Sequence, residues 1–406
     1  MYRPHPDFPT RKPVTGQQLE AICQSKVVRT EGIPGPLVIE SIEMIKRDQF
    51  VFIRTRTACG LEGISICGEN WKFFYPILQL KIAPYFIGTD CRDIEDTFQY
   101  MYVRDLNYKI QGLAFWCCWS WLEASILDIL GKASGKFIGE LFGPRVNDEV
   151  NYYMASGNRG NTPEEEIAIL EERMAEYGVK ALKFKVGGRM SNNADQVQGR
   201  SEGLIFAARK HFGDDMIIHA DGNGSYTPEV AIRYGKMLEE INAYFYEEPC
   251  PFDYLWETKE VADGVDIPLA FGEQETSLRR FRWLIENDGC QVVQPDVQYN
   301  GGFIKTCKVA RMAEAAGMLI TPHVSGGIQY AHVLMLASFT PNMGKYQELK
   351  VGYKETKDFF TTDLVLKDGK INIPNGVGLG MAFDKNYFDP AVEIFRVDEA
   401  KRTKTY

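Results

Sequence analysis

Six ionisable residues recur along the 406-residue chain: Asp221, Glu247, Glu273, Asp296, His323 and Glu348, at intervals of 26, 26, 23, 27 and 25 residues. Brought together, Asp221, Glu247 and Glu273 repel one another unless a cation sits among them. All-oxygen ligation favours Mg²⁺, with Mn²⁺ as the alternative, over zinc. One such acid alone would serve as a helix cap; three in register point to a shared ion. Asp296 and His323 come next. A carboxylate bonded to one imidazole nitrogen fixes the tautomer and raises the basicity of the other nitrogen. Glu348, kept protonated by burial, would donate a hydrogen bond to an enolate oxygen. Upstream, Lys183 and Lys185 are two apart in ALKFKVG, hence on one face of a strand. A neighbouring ammonium and burial both disfavour charge. At least one of the two is therefore expected to be a neutral amine, usable as a base.

These parts suit one reaction class. A metal binds a substrate carboxylate and spreads the charge that develops as the α-proton leaves, with lysines on one side and a His–Asp pair on the other. Something must hold them at one place. A strand, a loop, a helix and a return loop take about 25 residues, so the interval is one βα unit, and each polar group sits at or just past an apolar run. That is the mouth of a (β/α) barrel. Eight candidate strands lie between Asn151 and Leu349, among them MIIHAD, YFYEEP, IPLAFGE and MLITPHV. Thr162-Pro163 and Thr227-Pro228 mark helix starts, and Gly178 and Gly317 mark helix ends. Before the barrel, VIESIEMI, FVFIRTRTA and GISIC read as an antiparallel meander, followed by helical periodicity to about Phe142. The expected fold class is α/β, a modified TIM-like barrel with an N-terminal α+β capping domain. Its expected divisions are an extension (1–35), the capping domain (36–146), the barrel (147–361) and a C-terminal segment returning to the cap (362–406). The extension reads as aperiodic.

Composition narrows the function classes. The net charge of −9 argues against nucleic-acid partners. Nine cysteines, without metal-type spacing, fit reduced thiols in a cytoplasmic enzyme. Adjacent Cys117 and Cys118 read as core residues. No signal-like segment opens the chain. The most apolar window, LAFWCCWSWLEASILDILG, carries Glu123 and Asp128 and reads as a buried amphipathic helix, not a membrane span. His211, His219 and His332 read as structural. The GVGLG of the tail opens no helix and reads as turn glycines, not a dinucleotide fingerprint.

As an ordered set, KFKVGG, HADGNGSY, YEEP, FGEQ, QPD…NGG, TPHVSGG and QEL resemble the mandelate racemase subgroup of the enolase superfamily. The resemblance runs from about residue 37 to the tail. It implies Lys185 as base with Lys183 as electrostatic neighbour. It also implies Mg²⁺ ligands Asp221, Glu247 and Glu273 with Asn223 beside the metal, the dyad Asp296–His323, and Glu348 as hydrogen-bond donor to the enolate. The choice of Glu247 over Glu248 rests on the resemblance alone, as does a homo-oligomeric state. Family members carry a long loop between the first two capping strands, whereas only Arg47-Asp48-Gln49 is available here. Residues 1–35, or GENWKFFY after Cys67, are the expected replacement lid.

Ser156, Asn158, Arg159, Tyr226, Gln298, Asn300 and Ser325 follow strands and suit a polyol. That tilts the expected reaction toward dehydration of a sugar acid to a 2-keto-3-deoxy acid. Racemisation or epimerisation and cycloisomerisation are alternative outcomes of the same enolate. A non-catalytic sugar-acid binder is the reading from another class, and it gives no role to a lysine pair or a dyad.

Overall fold

The computed structural model describes residues 2–325, 330–350 and 360–401. Gly326 and Gly327 of TPHVSGG lie outside the described residues, as do 351–359 and 402–406.

The meander forms as expected, with strands β1 (Ile39–Arg47), β2 (Phe50–Thr57) and β3 (Glu62–Ile66). A C-terminal strand, Val392–Asp398, pairs antiparallel with β1 and becomes the fourth member of this sheet. The apolar window becomes the helix Leu113–Ser134, buried over most of its length against the sheet. Gly63 permits the approach: a Cβ there would stand 1.9 Å from the Ser125 carbonyl oxygen. Thr55 and Ser125 share a 2.7 Å hydroxyl hydrogen bond across the same seam. Cys117 and Cys118 are buried and unbridged on this helix.

The eight alternating strands are β4 (Glu149–Ala155), β5 (Ala181–Lys185), β6 (Ile217–Asp221), β7 (Phe245–Glu247), β8 (Leu269–Phe271), β9 (Val292–Val293), β10 (Leu319–Ile320) and β11 (Tyr346–Lys350). Neighbours pair in parallel from β4 through β10. β11 pairs with β4, and the hydrogen bonds of Ile320 to Asn342 and Gly344 (3.0 and 2.8 Å) close the ring. Helices Pro163–Tyr177, Arg200–Phe212, Pro228–Glu240, Leu255–Gly264, Leu278–Glu286, Gly302–Ala315 and Tyr330–Phe339 fill the crossovers. Thr162 forms the expected capping box with Glu165. Thr227 starts its helix without a side-chain cap bond; its amide and hydroxyl go instead to the Asn193 side chain.

Alternate residues point into the barrel. Tyr153, Ala181, Phe245, Ala270, Val292 and Leu319 form a core of their own, with Ile217 and Tyr346 packed against it. Most of these stand at strand starts, so this core fills the closed, N-terminal end. Phe8 plugs it from below, its ring tilted against that of Tyr244 with centroids 4.9 Å apart. Tyr2 donates to the Ala243 carbonyl (2.9 Å), and Arg11 donates to the carbonyls of Ile285 and Ala316 at two helix ends. The extension therefore binds the face opposite the mouth, and residues 2–12 are not a lid over this chain's own site. Nor is the extension aperiodic. Helix Gly16–Gln24 starts with a Thr15–Gln18 capping box and packs on Leu278–Glu286 and Gly302–Ala315.

Candidate active site

The expected phase holds. Asp221 and Glu247 are the last residues of β6 and β7, Glu348 lies within β11, and Glu273, Asp296 and His323 lie two or three residues past their strands. One carboxylate oxygen each from Asp221, Glu247 and Glu273 falls within 4.8 Å of the others, and all three residues are buried. Lys183 and Lys185 enter the same space from β5. The Lys183 ammonium is 2.7 Å from Glu247, 3.4 Å from Glu348 and 3.9 Å from Asp221. Lys185 bonds Asp221.

Burial alone would lower the Lys183 pKa, but Glu247, Glu348 and Asp221 outweigh it and hold the ammonium firmly protonated. Lys183 is wholly enclosed, whereas Lys185 is 8% exposed, so only Lys185 faces the mouth. Burial also opposes the charge on Asp221, yet the two lysines hold its pKa below the usual carboxylate range.

On the far side, His323 Nδ1 stands 3.0 Å from Asp296 Oδ2, and its Nε2 lies 3.6 Å from Glu273. Asp296 is a fully engaged carboxylate. It accepts from Ser325 on Oδ2 and from the amides of Gln298 (2.8 Å) and Tyr299 (3.1 Å) on Oδ1. These bonds outweigh burial and lower its pKa. Glu348 accepts from the Val324 amide at 3.2 Å. Asn223 takes a positive φ of 41°, which lets its amide bond Asp221 Oδ1 at 2.7 Å. Its side chain is held by Arg159, which also donates to the carbonyls of Val186 and Gly187.

The polar residues proposed for a polyol divide. Tyr226 packs at a tilt against Tyr234 and reaches Ser201, and Asn300 bonds Thr306, so both serve the core. Ser325 and Arg159 bond Asp296 and Asn223 as described. Ser156 accepts from the Asn158 amide at 3.2 Å. Gln298 accepts from Trp121 at 3.2 Å and approaches the Ile66 carbonyl at 3.5 Å. The end of β3 thus meets the loop that follows β9. His219 lies within the barrel with its pKa lowered by burial to about 3, and His332 is buried likewise, at about 4.

The donor set suits a hard divalent ion. Besides the convergent acids, Glu247 Oε1 and both oxygens of Glu248 are buried with no hydrogen-bond partner. Uncompensated carboxylate of this kind is costly without a cation.

Comparison with known proteins agrees with this architecture. Residues 24–143 match the mandelate racemase/muconate lactonizing enzyme N-terminal domain, and residues 166–387 match the enolase C-terminal domain-like family. An arabinonate dehydratase of Saccharolobus solfataricus is 26% identical over 76% of this chain and 80% of its own. A D-galactarolactone cycloisomerase of Agrobacterium fabrum is 28% identical over 74% and 80%. A mandelate racemase/muconate lactonizing protein of Paracoccus denitrificans, solved with magnesium, shares the fold with a TM-score of 0.80, at 24% identity over 88% of this chain and 99% of that one. The chain belongs to the enolase superfamily, in its mandelate racemase subgroup.

Proposed function

We propose that the site abstracts the α-proton of a carboxylate substrate and dehydrates a sugar acid to a 2-keto-3-deoxy acid. The observation that carries this reading is the placement of Lys185 and the His323–Asp296 pair on opposite sides of one buried carboxylate cluster. Asp221, Glu247 and Glu273 would hold Mg²⁺, or Mn²⁺, which supplies positive charge for the substrate carboxylate and for the enolate oxygen.

This chain's own groups carry the remaining steps. Lys185, the lysine open to the mouth, takes the α-proton. Lys183 stays an ammonium and stabilises the developing charge. Glu348 lies beside it as the hydrogen-bond partner for the enolate. His323, oriented by Asp296, gives a proton to the β-hydroxyl, which leaves as water, and the resulting enol tautomerises to the 2-keto acid. Asn223, expected beside the metal, and Ser325, expected to bind substrate, are better placed to fix Asp221 and Asp296. The segment after Cys67 is the proposed cover, because β3 ends against Gln298.

An acid-sugar dehydratase among the relatives supports this substrate class, and the cycloisomerase, at slightly higher identity, favours isomerisation as the second reading. A library of aldonic and aldaric acids, assayed for 2-keto product with Mg²⁺, tests the proposal. Conversion of one acid supports it; α-proton exchange without elimination supports the isomerase.

A further inference from the structure

We infer that Glu248 is a fourth carboxylate of the metal pocket, acting outside the convergent set of Asp221, Glu247 and Glu273; this rests on the divalent-ion reading above. Three observations meet here. Glu248 is fully buried, and neither carboxylate oxygen has a partner. It follows Glu247 directly, and its backbone is bonded to Gly224, three residues past Asp221, and to Ala270, three residues before Glu273, so it stands at the strand ends that carry the proposed ligands. Its backbone is fixed in a conformation that a non-glycine residue rarely adopts, with a φ of 39°. That conformation is held by the bond of its amide to Ala270 (3.0 Å) and of its carbonyl to Gly224 (2.8 Å).

An acid with only a packing role would find a donor, as Glu123 does with the Ile304 amide. Glu248 finds like charge instead. Mg²⁺ sheds water reluctantly and usually keeps several of its waters. A carboxylate beyond the convergent set is suited to accept hydrogen bonds from that water and to add charge to the site. Glu248 is thus a positioning residue for the ion, not a base.

The test is Mn²⁺ binding, followed by calorimetry and by the spin-resonance signal of free Mn²⁺, in wild type, Glu248→Gln and Glu123→Gln. Wild type is expected to bind Mn²⁺, Glu248→Gln at least fivefold more weakly, and Glu123→Gln within twofold of wild type. In chelator-treated protein, Glu248→Gln should melt no lower than wild type, because a buried like charge has been removed. A loss of affinity below fivefold, a lower melting temperature without metal, or failure of the variant to fold would each overturn the inference. Absence of Mn²⁺ binding by wild type would instead remove the ion site itself, and this inference with it.

Discussion

Glu123 gives the most quantitative prediction. It projects from the long helix Leu113–Ser134 against Gly302, where a Cβ would stand about 2.5 Å from its carboxylate. Oε1 accepts from the Ile304 amide at 3.1 Å, and Oε2 has no partner. Burial raises its pKa, the amides of Ile304 and Phe303 lower it, and the result is about 8 against 4.5 for the free side chain. A raised folded pKa means that the native state holds a proton the unfolded chain has released. Stability from this group is therefore complete below pH 4.5 and is lost as pH rises through 8. The slope is about 1.4 kcal/mol per pH unit at most, so wild type should lose roughly 2–3 kcal/mol between pH 5.5 and 7.5 through this group. Glu123→Gln is neutral throughout and lacks that term. The assay is urea unfolding of both proteins at pH 5.5, 6.5 and 7.5. The stability of Glu123→Gln relative to wild type should rise with pH by that amount, whatever its offset. A difference that stays flat, or that falls with pH, would refute the protonated Glu123.

Other consequences follow from the same geometry. Glu273→Gln or Asp221→Asn should abolish divalent-ion dependence together with activity, and a chelator should do so reversibly; full turnover in metal-free protein would end the metal assignment. Lys185→Ala should stop both α-proton exchange and turnover, whereas His323→Asn should slow turnover and leave some exchange. General acid–base groups contribute about 10²–10⁴-fold, so losses below tenfold in both variants would sink the two-base scheme. Deleting residues 2–12 should lower the melting temperature by opening the barrel floor while leaving KM within twofold. A raised KM at unchanged stability would return the extension to the substrate pocket.

Much of this site was legible because one period governs it. A polar residue at the same phase of each βα unit must reach the same mouth, whichever loops intervene, and Asp221 through Glu348 do so. The NGG motif was legible only as a motif. The structure supplies its cause: a Cβ on Gly301 would meet the Trp116 ring at 2.5 Å, and one on Gly302 would meet Glu123. The protonation of Lys183 was not legible, because the sequence shows its neighbour Lys185 but not three carboxylates arriving from other strands. Tyr226 and Asn300 were misplaced because position after a strand does not fix side-chain direction. The helix at Gly16–Gln24 was missed although its capping box, Thr15 with Gln18, is written in the chain. The destination of the extension was not legible, since Phe8 and Arg11 find partners more than two hundred residues away.

Removal of the α-proton of a carboxylate is the step on which the proposed function stands. Proton NMR of Mg²⁺-loaded protein with a panel of acid sugars in D₂O tests it most directly. At least one acid is expected to lose its C2 proton signal with release of 2-keto product, and Lys185→Ala is expected to leave the signal intact. Retention of every C2 proton by folded, metal-loaded protein, or exchange that persists undiminished in Lys185→Ala, would contradict it.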